Sequence, residues 1–168
     1  GDRLLRGSQL DLDFAQLVGL ALTERNVWCG ASLRQAHLRG LRSGIEDDMV
    51  ARLELPGADL TMARLEDFNV SGDWRYARLQ DARLDGIAFV GANLDHASFR
   101  QSNWLGDRRP LTKVGVPQDA AGNGAAISSF RHVDFSHANL SRIGFSNCDM
   151  RFTDFSNADL FQVGFNSG

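Results

Sequence analysis

The chain has 168 residues, 43 % of them hydrophobic, and a formal net charge of −3, so it can bury the core of one domain or one elongated repeat array. No basic excess is present to attract a phosphate backbone. No apolar run approaches the roughly 18 residues of a membrane-spanning helix, and two cysteines, Cys29 and Cys148, make neither a metal-spaced pair nor a disulfide framework.

Residues 1–27 show no clear pattern and read as a poorly defined N-terminal coil or cap. From Trp28 a period begins. Leu33 and Leu38 are centres five residues apart, each with a small residue two before it, Ala31 and Ala36. Residues 42–56, "RSGIEDDMVARLELP", interrupt it. Ile45, Met49 and Leu53 are spaced i, i+4, i+8, which predicts a short helix packed against the array. Threading the same stretch as repeats centred on Ile45, Val50 and Leu55 would turn Asp48 inward, at a cost of several kcal/mol.

The period resumes with Leu60, Leu65 and Val70, then Trp74. An unbroken run follows: Leu79, Leu84, Phe89, Leu94, Phe99 and Trp104, with Ala77, Ala82, Ile87, Ala92, Ala97 and Ser102 as small or β-branched partners. Residues 105–127 carry no repeat but hold two of the three prolines, the turn dipeptide Asn123-Gly124 and the only lysine. Such a long excursion is either a tolerated surface loop or a partner-contacting one. Arg108, Arg109 and Lys113 give it local positive charge and are the candidate partner-binding residues. The last run has centres Phe135, Leu140, Phe145, Met150, Phe155, Leu160 and Phe165, with partners Val133, Ala138, Ile143, Cys148, Thr153, Ala158 and Val163.

A period of five is neither the 3.6 of a helix nor the 2 of a strand. Residues two apart in an extended chain share a face, so centre and partner both point inward and the remaining three positions face water. A chain that keeps this up must bend between steps. The centres of the two long runs therefore form the expected core ladder.

The segments "GANLDHASFR", "HVDFSHANLS" and "FSNADLFQVG" resemble the pentapeptide-repeat proteins, whose pattern is A-(D/N)-(L/F)-X-X. The resemblance covers roughly residues 28–167 apart from the two interruptions. It implies an all-β fold, a right-handed quadrilateral parallel β-helix with two non-repeat excursions. Four pentapeptides make one square turn in that family, so Phe135 is expected to sit on Phe155, Leu140 on Leu160 and Phe145 on Phe165. Some seven coils at ~4.8 Å each would give a rod roughly 35 Å long.

Catalytic chemistry is not expected. No G-x-S-x-G, P-loop, H-E-x-x-H or glycine fingerprint occurs, and no metal or cofactor site is predicted. None of His37, His96, His132 and His137 lies 20 residues from another, so no imidazole ladder is expected. Asp134 and Asp154 should stack as like charges on a solvated face. The leading functional reading is a non-catalytic protein-binding scaffold, one domain of a larger bacterial protein. The resemblance includes β-helical substrate-binding domains of secreted effectors, among them HECT-like ubiquitin ligases, so the location is cytoplasmic or, for an effector, a host cell.

Two other readings remain. The resemblance also includes quinolone-resistance proteins that bind DNA gyrase by imitating duplex DNA. A mimic ~35 Å long would ideally present roughly 20 negative charges, at one per ~1.7 Å. Here 21 acids are offset by 18 bases. The third reading is a structural rod without a particular ligand.

Overall fold

The computed structural model describes residues 10–22, 26–43, 50–105, 112–114, 128–146 and 148–166. In chain order its strands are β1 (Gln16–Val18), β2 (Ala21–Leu22), β3 (Asn26–Val27), β4 (His37–Arg39), β5 (Arg42–Ser43), β6 (Val50–Glu54) and β7 (Arg64–Ser71). They continue as β8 (Arg83–Phe89), β9 (Asn103–Leu105), β10 (Thr112–Val114), β11 (Ser128–Ser129), β12 (Ile143–Ser146), β13 (Cys148–Asp149) and β14 (Gly164–Asn166). Every pairing among them is parallel. The strands stack as a β-solenoid of about six turns, and no helix occurs among the described residues.

One row of bridges traces the turns: Asp11, Ser32, Asp59, Arg78, Ser98, Asp134 and Asp154 are successive parallel partners. The steps along this row are 21, 27, 19, 20, 36 and 20 residues. The two long steps contain the two interruptions. Elsewhere each turn uses close to four pentapeptides, as the family resemblance implies. The four sides are marked in one coil by Leu79, Leu84, Phe89 and Leu94, all buried.

The interior is filled by the centre residues and closed by their small partners. Leu33, Leu38, Leu60, Leu65, Leu79, Phe89, Leu94, Phe99, Phe135 and Leu140 are wholly buried, and Leu84, Trp104 and Phe145 are 2 % exposed. Ala58, Ala63, Ala77 and Ala82 beside them are fully buried too. A small partner leaves room for the ring or isobutyl group of the adjacent side, which keeps the column close-packed. Phe135 lies on Phe155 with centroids 5.5 Å apart, and Phe145 on Phe165 at 5.5 Å. Asn139 pairs with Asp159, which places Leu140 in register with Leu160. The two indoles inside are satisfied locally: Trp74 Nε1 donates to the Leu53 carbonyl and Trp104 Nε1 to the Ser102 hydroxyl, both at 2.9 Å.

Burial fades along the last coil. Met150 and Phe155 are half-buried, whereas Leu160 is 40 % and Phe165 55 % exposed, because no described coil covers their outer side.

Both interruptions differ from expectation where they can be followed. In 42–56, where a helix was expected, β5 and β6 are strands. β6 pairs with β7 and β3, and Ala51, Leu53 and Leu55 are buried. At Leu53 the helical spacing gives way to the pull of an open sheet edge on each neighbouring coil. Ile45, Asp48 and Met49 lie outside the described residues. In 105–127, β10 pairs with β12, Thr112 opposite Ile143 and Val114 opposite Phe145. This part of the excursion is the third side of the fifth coil. Residues 10–22, read as a coil or cap, also carry strands: β1 pairs with β4 and β2 with β5.

Candidate functional site

The residues that turn the chain at each corner set the outer surface. After a centre residue the chain makes a four-residue turn, closed by bonds such as Ala77 N–H to Trp74 O at 3.1 Å and Ala97 N–H to Leu94 O at 2.9 Å. The third residue of these turns has positive φ, the geometry for which glycine is favoured. In many turns here it is not glycine. Tyr76, His96, His132 and Phe152 all sit at φ between 55° and 62°.

The residue before the centre supplies the turn's cap, which explains the Asp or Asn of the repeat. Its Oδ1 accepts the N–H two residues on: Asp73 from Arg75 at 3.0 Å, Asn93 from Asp95 at 3.0 Å, Asp134 from Ser136 at 2.8 Å and Asp154 from Ser156 at 2.8 Å. Where serine takes that place, a carboxylate from the coil below substitutes. Asp13 accepts the Ser32 hydroxyl at 2.6 Å and the Arg34 N–H at 2.8 Å, and Asp95 does the same for Ser129 and Arg131.

These bonds set the carboxyl pKa values. The backbone N–H of Ser156 holds Asp154 below the ordinary range, that of Phe161 does so for Asp159, and the Arg151 guanidinium does so for Asp149. At Asp59, Glu66 and Asp95 burial opposes ionisation. It is outweighed at Asp59 by Thr61, at Glu66 by His37 and Arg64, and at Asp95 by Arg131 and Ser129.

The corner between the fourth and first sides carries the most distinctive surface. Tyr76 stacks on His96 at 5.1 Å, His96 on His132 at 4.8 Å and His132 on Phe152 at 4.7 Å, with ring planes within 11° of parallel. All four side chains are exposed, Tyr76 by 60 % and Phe152 by 76 %. The expectation of no imidazole ladder is thus corrected. The 36-residue step brings His96 and His132 into register although they are not 20 apart. Counting in twenties missed it because the excursion lies between them.

Just before the rings runs a row of Arg75, Asp95, Arg131 and Arg151. Each arginine is held by a carboxylate: Arg75 by Asp73 at 2.7 Å, Arg131 by Asp95, and Arg151 by Asp149 at 2.6 Å. The positive charge of this edge is therefore internally matched.

The parallel imidazoles do not form a chelate. The two rings lie in parallel planes with centroids 4.8 Å apart, stacked face to face, whereas a metal must sit about 2 Å from each nitrogen that holds it. Among the described residues no group of three His, Cys, Asp or Glu side chains could hold a metal ion. Cys29 is exposed and Cys148 half-buried. A shallow open depression lies between Arg52, Glu54, Gly72, Asp73, Arg75 and Gly91. Ser71, Val90 and Asn93 complete its lining, so arginines and carboxylates meet there beside one hydroxyl.

Of the residues expected to contact a partner, Arg108 and Arg109 lie outside the described residues. The Lys113 backbone lies in β10 opposite Gly144.

The family description "Pentapeptide repeats" matches in 8 copies over residues 75–103 and 128–165. Comparison with curated proteins returns no match. Among solved structures, HetL, a protein involved in heterocyst differentiation regulation from the cyanobacterium Nostoc sp., is 18 % identical. That similarity spans 90 % of this chain and 87 % of the other, with a TM-score of 0.24. Trypsin-treated QnrB1, a plasmid-mediated fluoroquinolone resistance protein, is 17 % identical over 95 % of this chain and 92 % of its own, with a TM-score of 0.23.

Proposed function

The chain belongs to the pentapeptide-repeat family, and from that premise we propose that it is a protein-binding scaffold, the recognition part of a larger bacterial protein. The observation that carries this reading is the contrast between a filled interior and a differentiated exterior. The column packs Phe99, Phe130 and Phe135 against one another, so recognition falls to its outer faces. One corner of that exterior presents four exposed aromatic rings in backbone conformations that bulky residues rarely adopt. A purely structural rod would be served by glycine there, as at Gly30 and Gly57.

Duplex mimicry receives no support from the charge pattern. The row Asp11, Ser32, Asp59, Arg78, Ser98, Asp134, Asp154 mixes acids with serine and arginine and has only one adjacent pair of carboxylates. The arginines beside the rings are matched by carboxylates.

The test is capture on the immobilised chain followed by displacement with the free chain. Retention of a defined protein, released saturably by free chain, is the expected result. Absence of any displaceable protein would overturn the scaffold reading. Titration into a gyrase supercoiling reaction is expected to leave the rate unchanged, and inhibition would establish the mimic instead.

A further inference from the structure

The stacked corner has a chemistry of its own, and the inference drawn from it rests on the scaffold reading. Tyr76, His96, His132 and Phe152 form one continuous stripe running along the column axis. The stripe stops at Gly57, which occupies the same corner one coil below Tyr76, because the first-side bridge joins Asp59 to Arg78. Nothing lies within 4 Å of where a Cβ on Gly57 would stand. One face of the Tyr76 ring is therefore uncovered.

Two residues beyond His132 and Phe152 on the first side stand Asp134 and Asp154, directly paired between coils. Each carboxylate accepts a turn N–H, and neither is joined to an arginine or lysine among the described residues. On the other side of the rings the guanidinium groups are already matched by Asp73, Asp95 and Asp149. The charge beside the stripe that no described arginine or lysine matches is therefore negative, with His137 close enough to act on Asp154. That combination repels phosphate and attracts a planar cation that also stacks on aromatic rings.

We propose that this corner is a docking stripe for an extended, arginine-bearing segment of a partner protein, whose guanidinium groups stack against the rings of Tyr76 and Phe152 and pair with Asp134 and Asp154. An extended segment lying along the axis presents alternate side chains to the stripe, and the intervening ones face solvent. Lysine fits less well, since its ammonium is a strongly hydrated point charge without a stacking face. Nucleic acid is excluded by the same negative excess.

The test is fluorescence anisotropy of the full chain with a labelled peptide of alternating Arg and Ser. The matched Lys–Ser peptide and a single-stranded oligonucleotide serve as comparisons. Two variants decide it. The first combines Tyr76→Gly, His96→Gly, His132→Gly and Phe152→Gly, giving each corner the residue that Gly30 and Gly57 already carry. The second combines Asp134→Asn and Asp154→Asn, which removes charge but keeps the acceptor for each turn N–H.

The native chain is expected to bind the Arg–Ser peptide saturably and more tightly than the Lys–Ser peptide. Each variant is expected to weaken that binding by about tenfold or more while keeping a native-like melting curve. Unchanged affinity in either variant, equal affinity for the lysine peptide, or tighter binding of the oligonucleotide would overturn the proposal. If the glycine variant fails to fold, the rings are structural and the proposal also falls. A captured partner that contacts a different face would contradict the stripe yet leave the scaffold reading intact.

Discussion

At the scale of single residues, the cost of this fold is concentrated at its corners. Left-handed backbone disfavours an ordinary side chain by roughly 1–2 kcal/mol, and Tyr76, His96, His132 and Phe152 all adopt it. A stacked aromatic pair returns about 0.5–1.5 kcal/mol, so three contacts do not clearly offset four strained residues. The Asp and Asn caps offset part of the cost by accepting a turn N–H that would otherwise be unpaired. Glycine is demanded most strongly at Gly72, where φ is 117° and an added Cβ would stand 2.6 Å from the Leu53 carbonyl oxygen. Gly72→Ala is therefore expected to lose on the order of 3 kcal/mol, read as a lower denaturation midpoint. Gly57→Asn, in open space at φ 69°, should change stability little, because asparagine tolerates this conformation. Equal losses at the two positions would contradict the steric account.

At the scale of the repeat, stability is close to one-dimensional, since each coil touches only the coils above and below it. Phe145 is 2 % exposed and meets the rings of Phe130, Phe135, Phe155 and Phe165. Phe145→Asp should cost several kcal/mol, because it places a carboxylate in an apolar column. Phe165→Ala, at a ring already 55 % exposed, should cost about 1 kcal/mol or less. Similar melting temperatures for the two would reject the inward assignment of Phe145. The period of five made the repeats readable, because centre and partner alternate without a break from Ala77 to Trp104 and from Val133 to Phe165. The extra strands were not readable, for a physical reason. Thr112–Val114 pairs with Ile143–Phe145, but its side of the coil is reached from a detour, so no neighbouring pentapeptide announces it. Similarly, Val50–Glu54 is drawn into the sheet by the coils on either side of it, a tertiary demand that local helical spacing does not reveal. The stacked histidines are hidden by the same detour, whereas the turn caps stand in the sequence as Asp and Asn, residue types that a solvated position accepts equally well.

At the scale of the whole molecule, ion pairs and capped turns tie neighbouring coils together along the outer surface. The carboxyls of Asp59, Glu66, Asp95, Asp149, Asp154 and Asp159 are all held below their ordinary values. A lowered folded pKa stabilises the fold while the group is ionised, so the contribution is complete above the unfolded carboxyl range. It is lost as pH falls through the folded values. The melting temperature should therefore hold as pH is lowered to about 5 and drop below about pH 4; a drop confined to neutral pH would contradict this assignment. The larger claim is that recognition occurs on the outside of a filled column, at one corner. Hydroxyl-radical footprinting of the chain with its captured partner tests this directly, because the exposed rings and thioethers are the reactive groups. The account predicts protection of Tyr76, His96, His132 and Phe152, with Phe14 and Met62, exposed at the corner between the first and second sides, reacting as they do in the free chain. Protection of Phe14 and Met62 with the four stacked rings unchanged would contradict it.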